Sequence, residues 1–281
     1  MKLGLSGFAW TSRFEERHLR LASTVKGMGF DGFEVAMFDP HDLPITEIRR
    51  AFEAVDLERT VCAILPPGIN PISSDQEVRK ESIQHVIRCV EATAELGARL
   101  IGGPLYAPIG YLPEHRPTEE EWEWAVEAFE RVGEALDRCQ VELSIEPVNR
   151  SETFFIRTAQ DGRDLCERVK HPRIGITIDT FHANIEERGI PKAIELLGPC
   201  LKHIHASEND RGVLGRGHID FREIIAALLK IGYDGYLVVE GFGFSADEPF
   251  GPGVLWADKN VSPEELACCS ADHLRAQLSN R

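Results

Sequence analysis

A chain of 281 residues, 43% hydrophobic and 27% charged, has enough apolar material for one large core and excludes a disordered protein. Its formal net charge of −15 repels phosphate backbones and argues against a nucleic-acid partner. The seven cysteines, Cys62, Cys89, Cys139, Cys166, Cys200, Cys268 and Cys269, form no CxxC pair, which excludes a thiolate zinc motif and predicts reduced, mostly buried thiols.

The opening MKLGLSGFAW lacks a basic segment before a long apolar run, and no later apolar stretch approaches about 18 residues. The expectation is a cytoplasmic protein without membrane contact. In chain order, strand-like apolar runs fall at 3–8, 32–38, 59–65, 99–106, 141–148, 174–181, 201–207 and 236–242, each followed by a helical pattern. Gly29, Gly97 and Gly232 stand where helices would close with a left-handed residue. Thr118 with Glu121, and Asp220 with Glu223 ahead of a helix at 221–231, have the spacing of capping boxes. Eight βα pairs predict one α/β domain over residues 1–281, a (β/α)8 TIM barrel. A doubly wound sheet is disfavoured, because the first βα turn, Ser6-Gly7-Phe8-Ala9-Trp10, has no glycine-rich phosphate fingerprint.

In such a barrel the chemistry sits at the C-terminal ends of the strands. Four consecutive strand ends each deliver one potential ligand: Glu146, Asp179, His205 and Glu240. Side-chain alternation turns the apolar Ile145 and Val239 toward the helices and the neighbouring acids into the mouth. Three converging carboxylates repel one another unless a cation neutralises them. Three carboxylates and one imidazole without thiolate suit one divalent metal ion, Mn²⁺ first, with Mg²⁺ or Co²⁺ possible, and leave room for substrate oxygens.

Just past these ligands lie Glu152, His182 and Arg211 on βα loops. Arg211 can clamp a substrate oxygen, Glu208 can hold that arginine or a metal ligand, and the glycine-rich loop 212–217 can close over a ligand. Glu34 can reach substrate or hold a neighbouring loop. His203 reads as a support for His205 or a structural group, and His218 as a substrate contact or loop packing. His18, His41, His85, His115, His171 and His273 are expected in solvent.

The pattern resembles the xylose-isomerase-like barrels, and within them the ketose 3-epimerases acting on D-tagatose and D-psicose. The resemblance spans nearly the whole chain and rests on Gly32-Phe33-Glu34, Gly103-Pro104-Leu105-Tyr106, Glu146 through Asn149-Arg150 to Glu152, Asp179 to His182, His205 to Arg211, Gly215 to Phe221, and Glu240. It implies that Glu146, Asp179, His205 and Glu240 hold the metal, that Glu152, His182 and Arg211 bind the first carbons of a small sugar, and that the protein is a homodimer or homotetramer. It further implies a C3 epimerisation through an enediolate, with Glu146 and Glu240 as catalytic acid and base on opposite faces. Trp10, Pro66, Tyr106 and Tyr111 are candidates for choosing among sugars by loop position alone.

The alternative is an aldose–ketose or keto-polyol isomerase of the same superfamily, of hydroxypyruvate or keto-inositol type. Presence of the full set Glu152, His182 and Arg211 favours the epimerase. An apurinic endonuclease would need extra histidines on the third and fourth strands, and 62–65 and 101–106 contain none. A sugar-binding barrel without turnover is not required by any missing group.

Overall fold

The computed structural model describes residues 1–242 and 261–279. Eight parallel strands, β1 (Lys2–Ser6), β2 (Gly32–Met37), β3 (Glu58–Ala63), β4 (Leu100–Gly103), β5 (Glu142–Ile145), β6 (Ile174–Asp179), β7 (Leu201–Ala206) and β8 (Tyr236–Val239), close into a barrel in sequence order. Closure pairs Gly4 of β1 with Val238 of β8. Around them run α1 (Leu21–Gly27), α2 (Ile45–Glu53), α3 (Gln76–Glu95), α4 (Glu119–Cys139), α5 (Ala159–Val169), α6 (Thr180–Glu186), α7 (Ile190–Leu197), α8 (Phe221–Lys230) and α9 (Pro263–Ser279).

All eight predicted strands are present, and several stop earlier than their apolar runs. The run at 99–106 yields only β4, because Gly103 takes φ 125° and turns the chain away, where any side chain would run into the Ala63 carbonyl. The residues beyond the ladders form the mouth. Between β6 and β7 two helices replace the single one expected: Asp179 caps α6, and Gly189 followed by Pro191 starts α7. The predicted glycine closures hold, with φ of 81°, 77° and 74° at Gly29, Gly97 and Gly232. Thr118 and Glu121 form a reciprocal capping box. At α8 the cap is carried by Asp220, whose carboxylate accepts from the Arg222 and Glu223 backbone N–H groups and pairs with the Arg222 guanidinium.

Side-chain parity divides the molecule into two layers. Leu3, Leu5, Phe33, Val35, Val61, Leu143, Ile145, Ile204, Leu237 and Val239 face outward and join the helices in the main apolar core. There Phe33, Phe52 and Phe14 meet edge to face, with centroids 5.5 to 6.3 Å apart. Truncating one of these rings to alanine costs roughly 3–5 kcal/mol. The inward layer is unusually polar for a barrel, whose interior is ordinarily filled by branched apolar side chains. Glu34, Thr60, Ser144, Thr177, His203 and His205 are all at most 5% exposed, and hydrogen bonds offset their desolvation. Thr177 Oγ1 donates to Ser144 Oγ at 2.7 Å, and Thr60 Oγ1 donates to Glu34 Oε2 at 3.0 Å.

His85, expected in solvent, is buried instead, its Nε2 3.6 Å from Cys89 Sγ on the core side of α3. Period 3.6 explains this: positions 82, 85, 86 and 89 share the buried face of that helix. All seven cysteines are free, yet only Cys62 and Cys89 are fully buried, and Cys268 is exposed on α9. Among the described residues no helix is long and apolar enough to cross a membrane.

Candidate active site

The four strand-end groups converge. The backbone continues the ladder one bond beyond β5 and β8, with Glu146 N donating to Gly103 O at 3.1 Å and Glu240 N to Ala206 O at 3.0 Å, which pins both α-carbons at the rim. Asp179 ends β6 and is fixed by accepting from Phe181 N at 2.7 Å. His205 stands inside β7 and presents Nδ1 to Glu146 Oε1 at 3.0 Å and to Glu240 Oε1 at 3.8 Å. Each of the four offers an atom within 4.8 Å of the others, and all are at most 5% exposed.

The donor set fits a divalent cation. Burial pushes the Asp179 carboxyl up, against the pull of Arg211. Burial alone would discharge His205, but Glu34, Glu240 and Glu146 around it hold its pKa well above the ordinary range. A dry pocket that must otherwise keep protons to limit its negative charge is one where a cation binds favourably.

Glu34 does neither of the things anticipated for it. It is fully buried under the mouth, accepting from Thr60 Oγ1 and from His203 Nε2 at 2.8 Å, while its Oε1 lies 3.0 Å from His205 Nε2. Burial would raise its pKa, but His205 and His203 pull it well below the usual carboxylate range. It backs His205, whose Nδ1 is the nitrogen turned toward the acids. His203 takes the supporting role through the same carboxylate.

Glu152, His182 and Arg211 also assemble, and burial shapes all three. It lifts the Glu152 carboxyl above its usual value and holds the His182 imidazole neutral, its pKa down to about 3. Arg211 adopts φ 59°, a left-handed conformation that costs a non-glycine residue on the order of 1 kcal/mol. Its guanidinium is clamped between the Phe181 and Phe242 rings, 4.3 and 4.7 Å from their centroids. It donates to Asp179 Oδ2 at 2.9 Å and makes a short contact with Glu240 Oε2. Arg211 therefore touches two of the acids and lines the cavity above them.

Glu208 holds Arg211 through its backbone carbonyl, which accepts from Arg211 N at 2.9 Å, and its side chain serves the loop. Its carboxylate accepts from the backbone of Asn209, Gly215 and Ile219 at 3.0, 2.9 and 3.1 Å. The loop 212–217 is thus tied down and does not behave as a free lid: Val213 and Leu214 are buried, and a side chain at Gly217 would run into Glu208 and Asn209. His218, just past that loop, is exposed, its N donating to Asn209 Oδ1 and its Nε2 3.3 Å from Asn184 Oδ1.

The cavity above these groups has an apolar wall of Phe8, Cys62, Ile64, Pro104, Ile109, Val148 and Phe242. Phe8, Ala36, Cys62 and Ile64 make a small apolar cluster separate from the main core, with Phe38, Ile109 and Phe242 against it. None of Trp10, Pro66, Tyr106 or Tyr111 lines this cavity. Trp10 donates from Nε1 to Glu264 on α9, Tyr106 is fully buried with its hydroxyl on Ile156 O, and Tyr111 packs edge-on against Phe154. Parity carried past the strand ends finds the wall, since Phe8, Ile64 and Phe242 lie two residues beyond Ser6, Cys62 and Glu240.

Known proteins share this barrel. The model of the xylose isomerase-like TIM barrel matches residues 22–270. A probable ketose 3-epimerase of Synechocystis sp. is 30% identical over 95% of this chain and 93% of its own length. The D-psicose 3-epimerase of Ruminiclostridium cellulolyticum is 34% identical, covering 86% of this chain and 84% of that one. A solved D-psicose 3-epimerase with D-tagatose from Clostridium cellulolyticum H10 superposes with a TM-score of 0.87 at 29% identity, covering 99% of both chains.

Proposed function

The chain belongs to the xylose isomerase-like TIM barrel family, among its ketose 3-epimerases, and we propose that it interconverts C3 epimers of a free ketose of the tagatose, psicose, fructose or ribulose class. Glu146, Asp179, His205 and Glu240 would hold one divalent cation, Mn²⁺ first and Mg²⁺ or Co²⁺ next. When bound, that cation supplies Lewis-acid polarisation of the sugar carbonyl.

The proton chemistry falls to the protein. Glu146 and Glu240 approach His205 Nδ1 from different strands, so one can remove the C3 proton and the other deliver a proton to the opposite face of the enediolate. Arg211, His182 and Glu152 hold the first two carbons and their oxygens. The apolar wall excludes water, which strengthens each of these electrostatic contacts. The single observation that carries the reading is the convergence of four ligand atoms within 4.8 Å, with two glutamates among them, beside a cavity lined by Glu152, His182 and Arg211.

The test is an assay on D-fructose, D-tagatose and L-ribulose before and after exhaustive chelation. Activity should vanish on chelation and return with Mn²⁺ or Co²⁺. Full activity in the chelated protein would rule out the cation, and aldose products would favour an isomerase.

A further inference from the structure

We infer that Glu34, Cys62 and His205 form a second cation site, behind the His205 ring and suited to a thiophilic divalent ion such as Zn²⁺ or Cd²⁺. The trio stands independently of the sugar chemistry proposed above, and only its effect on the catalytic cation rests on that reading.

One atom from each of the three lies within 4.8 Å of the others, and all three residues are at most 3% exposed. Strand parity brings them together, with Glu34 and Cys62 at inward positions of the neighbouring β2 and β3 and His205 inward on β7. Glu34 is set to offer one oxygen. Thr60 Oγ1 and His203 Nε2 both donate to its Oε2, at 3.0 and 2.8 Å. Its Oε1 stands 3.0 Å from His205 Nε2 without the alignment of a hydrogen bond. Among the described residues both atoms are buried with no hydrogen-bond partner, a rare condition for polar atoms in a protein interior. A tetrahedral ion with bonds of about 2.0 Å to nitrogen and oxygen holds those two atoms about 3.3 Å apart, so the pair already has nearly the spacing of a chelate.

Cys62 supplies the third ligand and the selectivity. A thiolate favours zinc or cadmium, whereas the all-oxygen-and-imidazole quartet above suits harder ions. The thiol proton leaves to solvent as the sulfur–metal bond forms. Cys62 also lines the active-site cavity, which gives the ion an entry from the mouth. His205 turns its other nitrogen, Nδ1, toward Glu146 and Glu240. One imidazole therefore serves both sites, and two dications flanking a single ring repel each other, so an ion in the trio opposes the catalytic one.

The test titrates the metal-free protein with Cd²⁺ and follows sulfur-to-cadmium charge-transfer absorption in the ultraviolet. A saturating band is expected in the wild type and is lost in Cys62→Ser. The exposed Cys268 and its neighbour Cys269 remain in that variant, so the difference reports Cys62 alone. No band, or an equal band in Cys62→Ser, overturns the site. Should that variant not fold, X-ray absorption at the cadmium edge of the wild-type protein decides: one sulfur among nitrogen and oxygen neighbours upholds the trio, and nitrogen and oxygen alone overturn it. Saturating Mn²⁺ should raise the Cd²⁺ concentration at half-saturation of the band about tenfold or more. An unmoved midpoint in a protein whose Mn²⁺ binding is seen by calorimetry refutes the sharing of His205. Failure of the parent reading looks different: a protein that forms the band but binds no Mn²⁺ and turns over no ketose keeps the trio and loses the catalytic quartet.

Discussion

Strands β5 to β8 bring Glu146, Asp179, His205 and Glu240 to the mouth of the barrel, whereas β1 and β3 and the loop after β4 bring Phe8, Cys62, Ile64 and Ile109. One half carries charge and the other carries none at the surface of the cavity. The difference assigns their work. A proton removed beside a carbonyl needs fixed charges, and those charges act strongly only where water is kept out. On the proposed function, the apolar half would supply that exclusion and border the part of the sugar away from the charges. Glu34 crosses the divide, reaching from β2 through the barrel interior to back His205.

Changes in the charged half should have the largest effect. Glu146→Gln or Glu240→Gln keeps the shape of the side chain and removes its basicity, so turnover should fall on the order of 10³-fold while the thermal transition barely moves. Substantial epimerisation by either variant would contradict a two-base scheme and dissolve the contrast between the halves. Next comes the residue that crosses between them. Glu34→Gln should weaken Mn²⁺ binding roughly ten- to a hundred-fold in a calorimetric titration, through loss of the anion behind His205. Unchanged affinity would confine the metal function to β5 to β8. The smallest effect is expected from the apolar half: Phe8→Ala or Ile64→Ala should leave Mn²⁺ affinity intact and alter the ratio of kcat/KM between a hexulose and a pentulose by about tenfold. Equal losses on all sugars would mean that these residues only pack.

The two halves are also unequally legible in the sequence. A single acid at a strand end is more often a structural or exposed charge, and Glu146, Asp179, His205 and Glu240 stand out because four potential ligands end consecutive strands. The barrel follows from the alternation of strand and helix periods, and the closures at Gly29, Gly97 and Gly232 from the need for positive φ. An apolar wall gives no such contrast: Ile64 and Phe242 look like core until parity is extended beyond the ladder. Long-range partners are equally hidden. Nothing local joins Glu34 to His205 or Glu208 to Ile219, and the tied loop at 212–217 reads as mobile in the sequence because its glycines serve close approach to Glu208 and Asn209 rather than freedom of motion.

Proton exchange at C3 is the central claim, and one measurement addresses it directly. The Mn²⁺-loaded protein is incubated in D₂O with D-fructose, D-tagatose or L-ribulose, and the recovered sugars are read by NMR. The predicted product is the C3 epimer carrying deuterium at C3. An aldose carrying deuterium at C2, with deuterium at C1 of the recovered ketose, or deuterium at C4 with C3 untouched, would contradict it.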